Sequence, residues 1–182
     1  TVPNITIINP TAVLFTQVTH EDVTCYGAST GSITVQASGG VGTINYGLLP
    51  NLGIQALPGN FTTLPAGGYT VTATDGNNCS VTTLVQILQN PQILIDTITP
   101  KEPTCWGDGD GALYITASGG VGLLTYQLNT GNPQTNGMFP NLTAGGYSIT
   151  IRDSLGCSID SLYVLTQPDP VHFSSLIIDG VY

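Results

Sequence analysis

The sequence predicts an all-β protein made of two small β-sandwich domains in series, and three observations carry that expectation. The chain repeats itself: Cys25 to Tyr46 recurs 80 residues on as Cys105 to Tyr126, and Phe61 to Gln89 recurs 78 residues on, the second copy lacking two residues in a loop. Apolar and polar residues alternate with period two in several runs, and no segment has a sustained helical stripe. Clusters of Gly, Asn and Pro punctuate those runs at short intervals. A period near 80 residues is longer than the roughly 20–50 residues of a solenoid unit. It suits a domain that folds alone and is strung in series.

Taken in order, each copy opens on Asn-Pro and an apolar run: Asn9-Pro10 with Val13-Leu14-Phe15, then Asn90-Pro91 with Ile93-Leu94-Ile95. Ile33, Val35 and Ala37 then face one way while Ser32, Thr34 and Gln36 face the other, and Leu113, Ile115 and Ala117 repeat the pattern. Ser38-Gly39-Gly40-Val41-Gly42 and its copy at 118–122 read as turns between strands. They have no Lys and lead into no helical pattern, so they are not phosphate loops. Ala66-Gly67-Gly68-Tyr69 and Ala144-Gly145-Gly146-Tyr147 read as tight corners whose Tyr enters the next strand and bonds back. Tyr69, Val71 and Ala73 alternate with threonines, as Tyr147, Ile149 and Ile151 alternate with Ser148, Thr150 and Arg152. Asn78 and Gly156 suit turn positions with positive φ. Val81–Leu88 and Ile159–Thr166 are the closing strands. About seven short strands per copy make each domain a sandwich of immunoglobulin type.

The domains so defined span 10–90 and 91–168. Residues 1–9 read as the last strand of a preceding or neighbouring domain, and 169–182 as the opening strand of a following or neighbouring one. Two arrangements fit: a window on a longer array of flanking repeats, or subunits that each lend a terminal strand to the next.

Composition narrows the function. Lys101 and Arg152 are the only fixed cations against eleven carboxylates, for a net charge of −9. Two cations cannot neutralise a run of phosphates, which excludes nucleic acid as a partner, and the same shortage excludes anionic lipid. No apolar run approaches the ~18 residues that would insert into a bilayer. The surface must be built from Thr, Ser, Asn, Gln and Gly. Cys25, Cys79, Cys105 and Cys157 allow three pairings, and the repeat favours Cys25–Cys79 with Cys105–Cys157, since any other pairing ties two domains together. Each such bridge would contribute about 2–4 kcal/mol on the chain-entropy account. The spacing is not Cys-x-x-Cys, which argues against zinc. Disulfides place the chain in an oxidising, extracytoplasmic setting.

The stretches LPAGGYTVTATDGNNC (64–79) and LTAGGYSITIRDSLGC (142–157) resemble the SprB-type repeat. So do the openings Cys25-Tyr26-Gly27 with Gly31-Ser32-Ile33, and Cys105-Trp106-Gly107 with Gly111-Ala112-Leu113. The resemblance covers roughly residues 23–168. It departs at Ala28-Ser29-Thr30, where acidic residues are common in the family, and at Asn77-Asn78 in place of Asn-Gly. Such repeats occur in large surface proteins of Bacteroidetes, including gliding-motility adhesins exported by the type IX system. The resemblance implies an extracellular, cell-surface, non-catalytic role. It also implies O-linked glycans at Asp-Ser/Thr followed by an apolar residue, here Thr97, Ser154 and Ser161.

The remaining candidate sites are few. Asp108 and Asp110 sit close together on a Gly-rich loop, the kind of oxygen ligand that attracts calcium. The spacing is incomplete, no bidentate Glu follows, and the first copy has Ala28 and Thr30 there, so a solvated turn is expected and no cofactor. Tyr26 and Trp106 follow the first Cys of each copy; they could stack on a sugar ring, but packing against a disulfide is the expectation. Asn4, Asn60, Asn78 and Asn141 head Asn-x-Ser/Thr triplets. His20 and His172 have no nucleophile at a matched position, and the two Glu offer no catalytic pair, so the chain reads as no enzyme. The expected function is a segment or subunit of an extracellular fibre or adhesin stalk, joined head to tail to itself or to flanking repeats. The alternative is an adhesion module that binds surface carbohydrate.

Overall fold

A computed structural model describes residues 9–174, which hold thirteen strands and no helix. The chain forms two compact units that divide between Gln92 and Ile93. Unit 1 contains β1 (Leu14–Glu21), β2 (Gly31–Ser38), β3 (Asn45–Leu49), β4 (Ile54–Leu57), β5 (Asn60–Leu64), β6 (Gly67–Thr74) and β7 (Ser80–Ile87). They pair as two antiparallel sheets, ordered β1-β2-β5-β4 and β3-β6-β7. With the strands lettered A to G this is ABED against CFG, the constant-type immunoglobulin sandwich.

The alternation in the sequence is the reason two sheets can meet. Ile33, Val35, Phe61 and Leu64 of one sheet and Leu48, Tyr69, Val71, Val85 and Ile87 of the other form one core with Val23. Each fully buried apolar side chain of this kind contributes about 1.5–3 kcal/mol. The threonines between Tyr69, Val71 and Ala73 point outward, where their β-branched chains suit a pleated surface.

Unit 2 contains β8 (Leu94–Lys101), β9 (Gly111–Ser118), β10 (Thr125–Leu128), β11 (Met138–Leu142), β12 (Gly145–Arg152) and β13 (Ser158–Leu165). Its sheets are ordered β11-β9-β8 and β10-β12-β13, closed over Ile93, Leu113, Ile115, Tyr126, Phe139, Ile149, Ile151 and Leu165. It has six strands where about seven are expected. The counterpart of β4 is absent in the loop that is two residues shorter, and there the chain touches the other sheet, where Gln134 and Tyr126 exchange backbone hydrogen bonds of 2.8 and 2.9 Å. The Gln134 side chain holds that loop by donating to Asn136 O and Met138 O.

Both predicted corners are present. Tyr69 Oη donates to Pro65 O at 2.8 Å, and Tyr147 Oη to Thr143 O at 2.8 Å. Burial pushes the Tyr69 hydroxyl pKa up. Asn78 takes φ +65° and Gly156 φ +88°, as the turn requires. The opening strands β1 and β8 both bulge at the same place, between Phe15 and Gln17 and between Ile95 and Thr97, which twists an exposed sheet edge. The expected terminal strands fall largely outside the described residues; residues 169–174 form no strand.

Candidate functional site

Chemistry on this chain gathers at the two ends of each sandwich. At one end of unit 1, Val23 N–H donates to Leu88 O at 2.9 Å and Gly27 N–H to Gln89 Oε1 at 2.9 Å, which fixes Cys25 beside the point where β7 finishes. Asn90 Nδ2 donates to Thr24 O there, so the chain leaves unit 1 at the Cys25 end. Cys79 immediately precedes β7. Eight strand residues at about 3.3 Å each put Cys79 roughly 26 Å away, at the opposite end.

Unit 2 is built alike. Gly107 N–H donates to Gln167 Oε1 at 2.9 Å, which places Cys105 beyond the end of β13, while Cys157 precedes the start of that strand.

The pairing expected from the repeat, Cys25–Cys79 with Cys105–Cys157, is therefore corrected. A disulfide needs Cα atoms about 4.4–6.8 Å apart, and a whole strand separates the two cysteines of each unit. Cys25 and Cys157 are disulfide-bonded, whereas Cys79 and Cys105 are free and exposed.

The Cys79 and Cys157 ends are organised by buried carboxylates whose role the sequence reading did not assign. Asp75 is 3% exposed and Asp153 6%. Asp75 accepts the N–H of Val41 at 2.8 Å, of Asn77 at 2.9 Å and of Cys79 at 2.8 Å. Asp153 accepts the N–H of Val121, Leu155 and Cys157 at 3.0, 2.9 and 2.9 Å. Each carboxylate thus ties the Gly-rich turn after β2 or β9 to the turn that presents the cysteine. Gly40 is required there, since a Cβ would lie 2.6 Å from Asp75 Oδ2 and φ is +67°. The Val41 N–H, helped by those of Cys79 and Asn77, holds the Asp75 pKa below the usual carboxylate range against the opposing pull of desolvation. The signal was in the sequence: Asp-x-x-x-Cys recurs in a chain with few carboxylates.

Asp108 and Asp110 converge on protein donors. Thr104 N–H donates to Asp110 Oδ1 at 2.9 Å and its hydroxyl to Asp110 Oδ2 at 3.1 Å, with Asp108 Oδ2 at 3.5 Å. Lys101 Nζ lies 2.6 Å from Asp110 O and 3.4 Å from its Oδ2. The Thr104 amide, with its hydroxyl and the Lys101 charge, holds the Asp110 pKa low. In unit 1 Thr30 does the same work, its Oγ1 accepting Thr24 N–H at 3.0 Å. The pair is a loop staple with two chemical solutions. Among the described residues, no three His, Cys, Asp or Glu side chains gather as a ligand set.

Tyr26 is 52% exposed and Trp106 57%, so neither aromatic is packed away as expected. Trp106 and the free Cys105 line an open hollow of about 400 Å³ with Thr104, Pro168, Pro170 and Val171. Of the glycan candidates, Thr97 is exposed and its hydroxyl shares a 2.7 Å hydrogen bond with Thr116. Ser154 Oγ accepts Leu123 N–H at 3.0 Å, and Ser161 is half-buried in β13. Asn78 and Asn141 are exposed at positive φ, Asn60 has its Oδ1 buried without a partner, and Asn4 lies outside the described residues.

With this geometry established, comparison with known proteins is informative about kinship. The SprB repeat matches the chain twice, over 18–53 and 97–133. No curated protein matches it significantly. Among solved structures, the chain is similar to a C-terminal 282-residue fragment of intimin in complex with the intimin-binding domain of its translocated receptor: identity is 16%, coverage 84% of this chain and 64% of that one, TM-score 0.40. Sidekick-1 immunoglobulin domains 1–4 match at 12% identity, 91% and 51% coverage and TM-score 0.45. The S-layer protein rSbsC matches at 15%, 90% and 29%, with TM-score 0.31. The chain spans less than two thirds of each of these. Both SprB matches begin in the opening strand of a sandwich and include its first cysteine, Cys25 or Cys105, so each unit contains one segment similar to the SprB repeat.

Proposed function

We propose that this chain is a non-catalytic segment of an extracellular, cell-surface adhesin fibre, and that its copies join head to tail. One observation carries the reading. Each unit takes in the chain at one end and releases it at the other: Leu14 starts β1 beside Ser38, and Ile87 finishes β7 beyond the far end of that pairing. Leu94 and Leu165 stand likewise in unit 2. A unit so threaded is a bead that passes load along its strands. The ladder bonds of β1–β2 and β6–β7 lie across the pull, so they resist together rather than one at a time. Two fixed cations leave trypsin few sites, and the outward threonines give a polar surface without charge. The SprB matches favour a surface location, as do bonded cysteines, which need an oxidising compartment.

Sedimentation velocity over a concentration series tests the assembly. The reading expects open-ended growth past the dimer as concentration rises. A monomer at every concentration, or a closed dimer that goes no further, would count against it. A second reading, carbohydrate recognition, draws on the exposed Trp106 beside its hollow. It expects specific retention on a glycan array that Trp106→Ala abolishes, and uniform silence on the array removes it.

A further inference from the structure

We propose that Cys79 and Cys105 are the two halves of one intermolecular disulfide, Cys105 of one copy bonding Cys79 of the next copy in line. The inference rests on the head-to-tail reading above and adds a covalent link to it. Cys105 is to unit 2 what Cys25 is to unit 1. Each follows the opening strand and precedes an exposed aromatic, and each is positioned by a Gly N–H donating to a Gln Oε1 at 2.9 Å. Cys79 is to unit 1 what Cys157 is to unit 2, its N–H held by a buried Asp at 2.8 Å against 2.9 Å.

The counterparts Cys25 and Cys157 are disulfide-bonded, while Cys79 and Cys105 remain as exposed thiols. The path of the chain through each unit sets which cysteine lies at which end. The polypeptide leaves unit 1 at the Cys25 end, where Asn90 bonds Thr24. It enters unit 2 at the Cys157 end, since a Cβ on Gly120 would meet both Ile93 and Asp153 within 3.1 Å. Each unit thus carries a cysteine of the first kind at its outgoing end and one of the second kind at its incoming end. At a junction between copies, the leading copy offers Cys105 and the following copy offers Cys79. Cys105 stands on the rim of the apolar hollow with Trp106 and Val171, and Val41 is exposed on the Cys79 end. A strand's length within each unit bars the two thiols from satisfying themselves with Cys25 or Cys157 of their own unit.

The chemistry is thiol–disulfide exchange with a small disulfide oxidant. The Sγ of one cysteine attacks the oxidant's S–S bond and forms a mixed disulfide. The second Sγ displaces the remaining half. The new Sγ–Sγ bond forms, the oxidant's S–S bond breaks, and the two electrons and two protons leave on two molecules of reduced thiol.

The test uses Cys79→Ser and Cys105→Ser, both at exposed positions, with oxidised glutathione and non-reducing electrophoresis. The intact chain should give a ladder that dithiothreitol collapses. Neither variant alone should cross-link, an equimolar mixture should stop at the dimer, and peptide mapping of that dimer should find Cys79 joined to Cys105. Either variant dimerising alone as well as the mixture does, or an intact chain that stays monomeric in the oxidant, would overturn the proposal. Sedimentation in dithiothreitol separates the two levels: copies that associate when reduced but never cross-link retain the fibre and lose the disulfide.

Discussion

Replacing Gly111 by alanine probes a close approach in unit 2, both to the neighbouring strand β11 and to β13 of the opposite sheet. A Cβ at Gly111 would lie 2.7 Å from Leu142 O, 2.8 Å from Leu165 Cδ2 and 3.1 Å from Pro103 Cδ. The first of these is backbone held in the β9–β11 pairing and cannot swing aside. Leu165 is 1% exposed and has nowhere to retreat. Gly111 is not in the left-handed region, so the whole cost is steric. Overpacking of this kind costs about 1–3 kcal/mol, and in a domain of this size each kcal/mol lowers the melting temperature by roughly 4–8 °C. Gly109→Ala is the control, because its Cβ would meet nothing nearer than Thr143 Cγ2 at 3.7 Å. Calorimetry on both variants should show the unit 2 transition falling for Gly111→Ala and holding within a degree or two for Gly109→Ala. Equal melting temperatures for the two variants would refute the packing argument. Gly31→Ala should do to unit 1 what Gly111→Ala does to unit 2, since its Cβ would sit 2.8 Å from Leu64 O and 2.9 Å from Ile87 Cγ2.

Other expectations follow from the same geometry. Tyr69→Phe removes one hydrogen bond from a ring that stays buried and should cost about 0.5–1.5 kcal/mol in urea titration; Tyr147→Phe, at a more exposed corner, should cost less, and a reversed order would contradict the corner's role. The Asp75 pKa is lowered in the folded state, so its contribution is present above its unfolded pKa of about 4 and is lost as pH falls through the lower folded value. Asp75→Asn should therefore flatten the acid limb of unit 1 stability, and an unchanged pH profile would count against the carboxylate staple. Intact mass on native material should exceed the bare polypeptide if Thr97, Ser154 or Ser161 carries sugar; Ser154 is the poorest acceptor of the three, because its Oγ already holds the Leu123 amide.

Much of the fold was legible because it depends on local alternation. Ile33, Val35, Tyr69, Val71, Leu113, Ile149 and Ile151 all turn inward as the period-two pattern requires. The tyrosine corners were legible from Ala-Gly-Gly-Tyr alone. The loss of β4 in the second copy was only half legible. The deletion marks the place, but where the shortened loop would attach depends on which sheet edge lies open to Gln134.

The cysteine pairing failed for a physical reason. Equivalent positions in a repeat say which residues correspond but not at which end of the sandwich each lies, and β7 and β13 run the full length between them. At Asp108 and Asp110 the sequence suggested a turn, and what it left unread was the set of partners. Thr104 and Lys101 are the donors placed against these carboxylates, and in unit 1 the Thr30 hydroxyl takes the equivalent role.

Negative-stain electron microscopy of the chain across a concentration series addresses the central claim most directly. The head-to-tail account predicts regular filaments whose axial repeat corresponds to two sandwich domains, lengthening as concentration rises. Discrete two-domain particles at every concentration would contradict it and leave the chain a passive stretch of repeats.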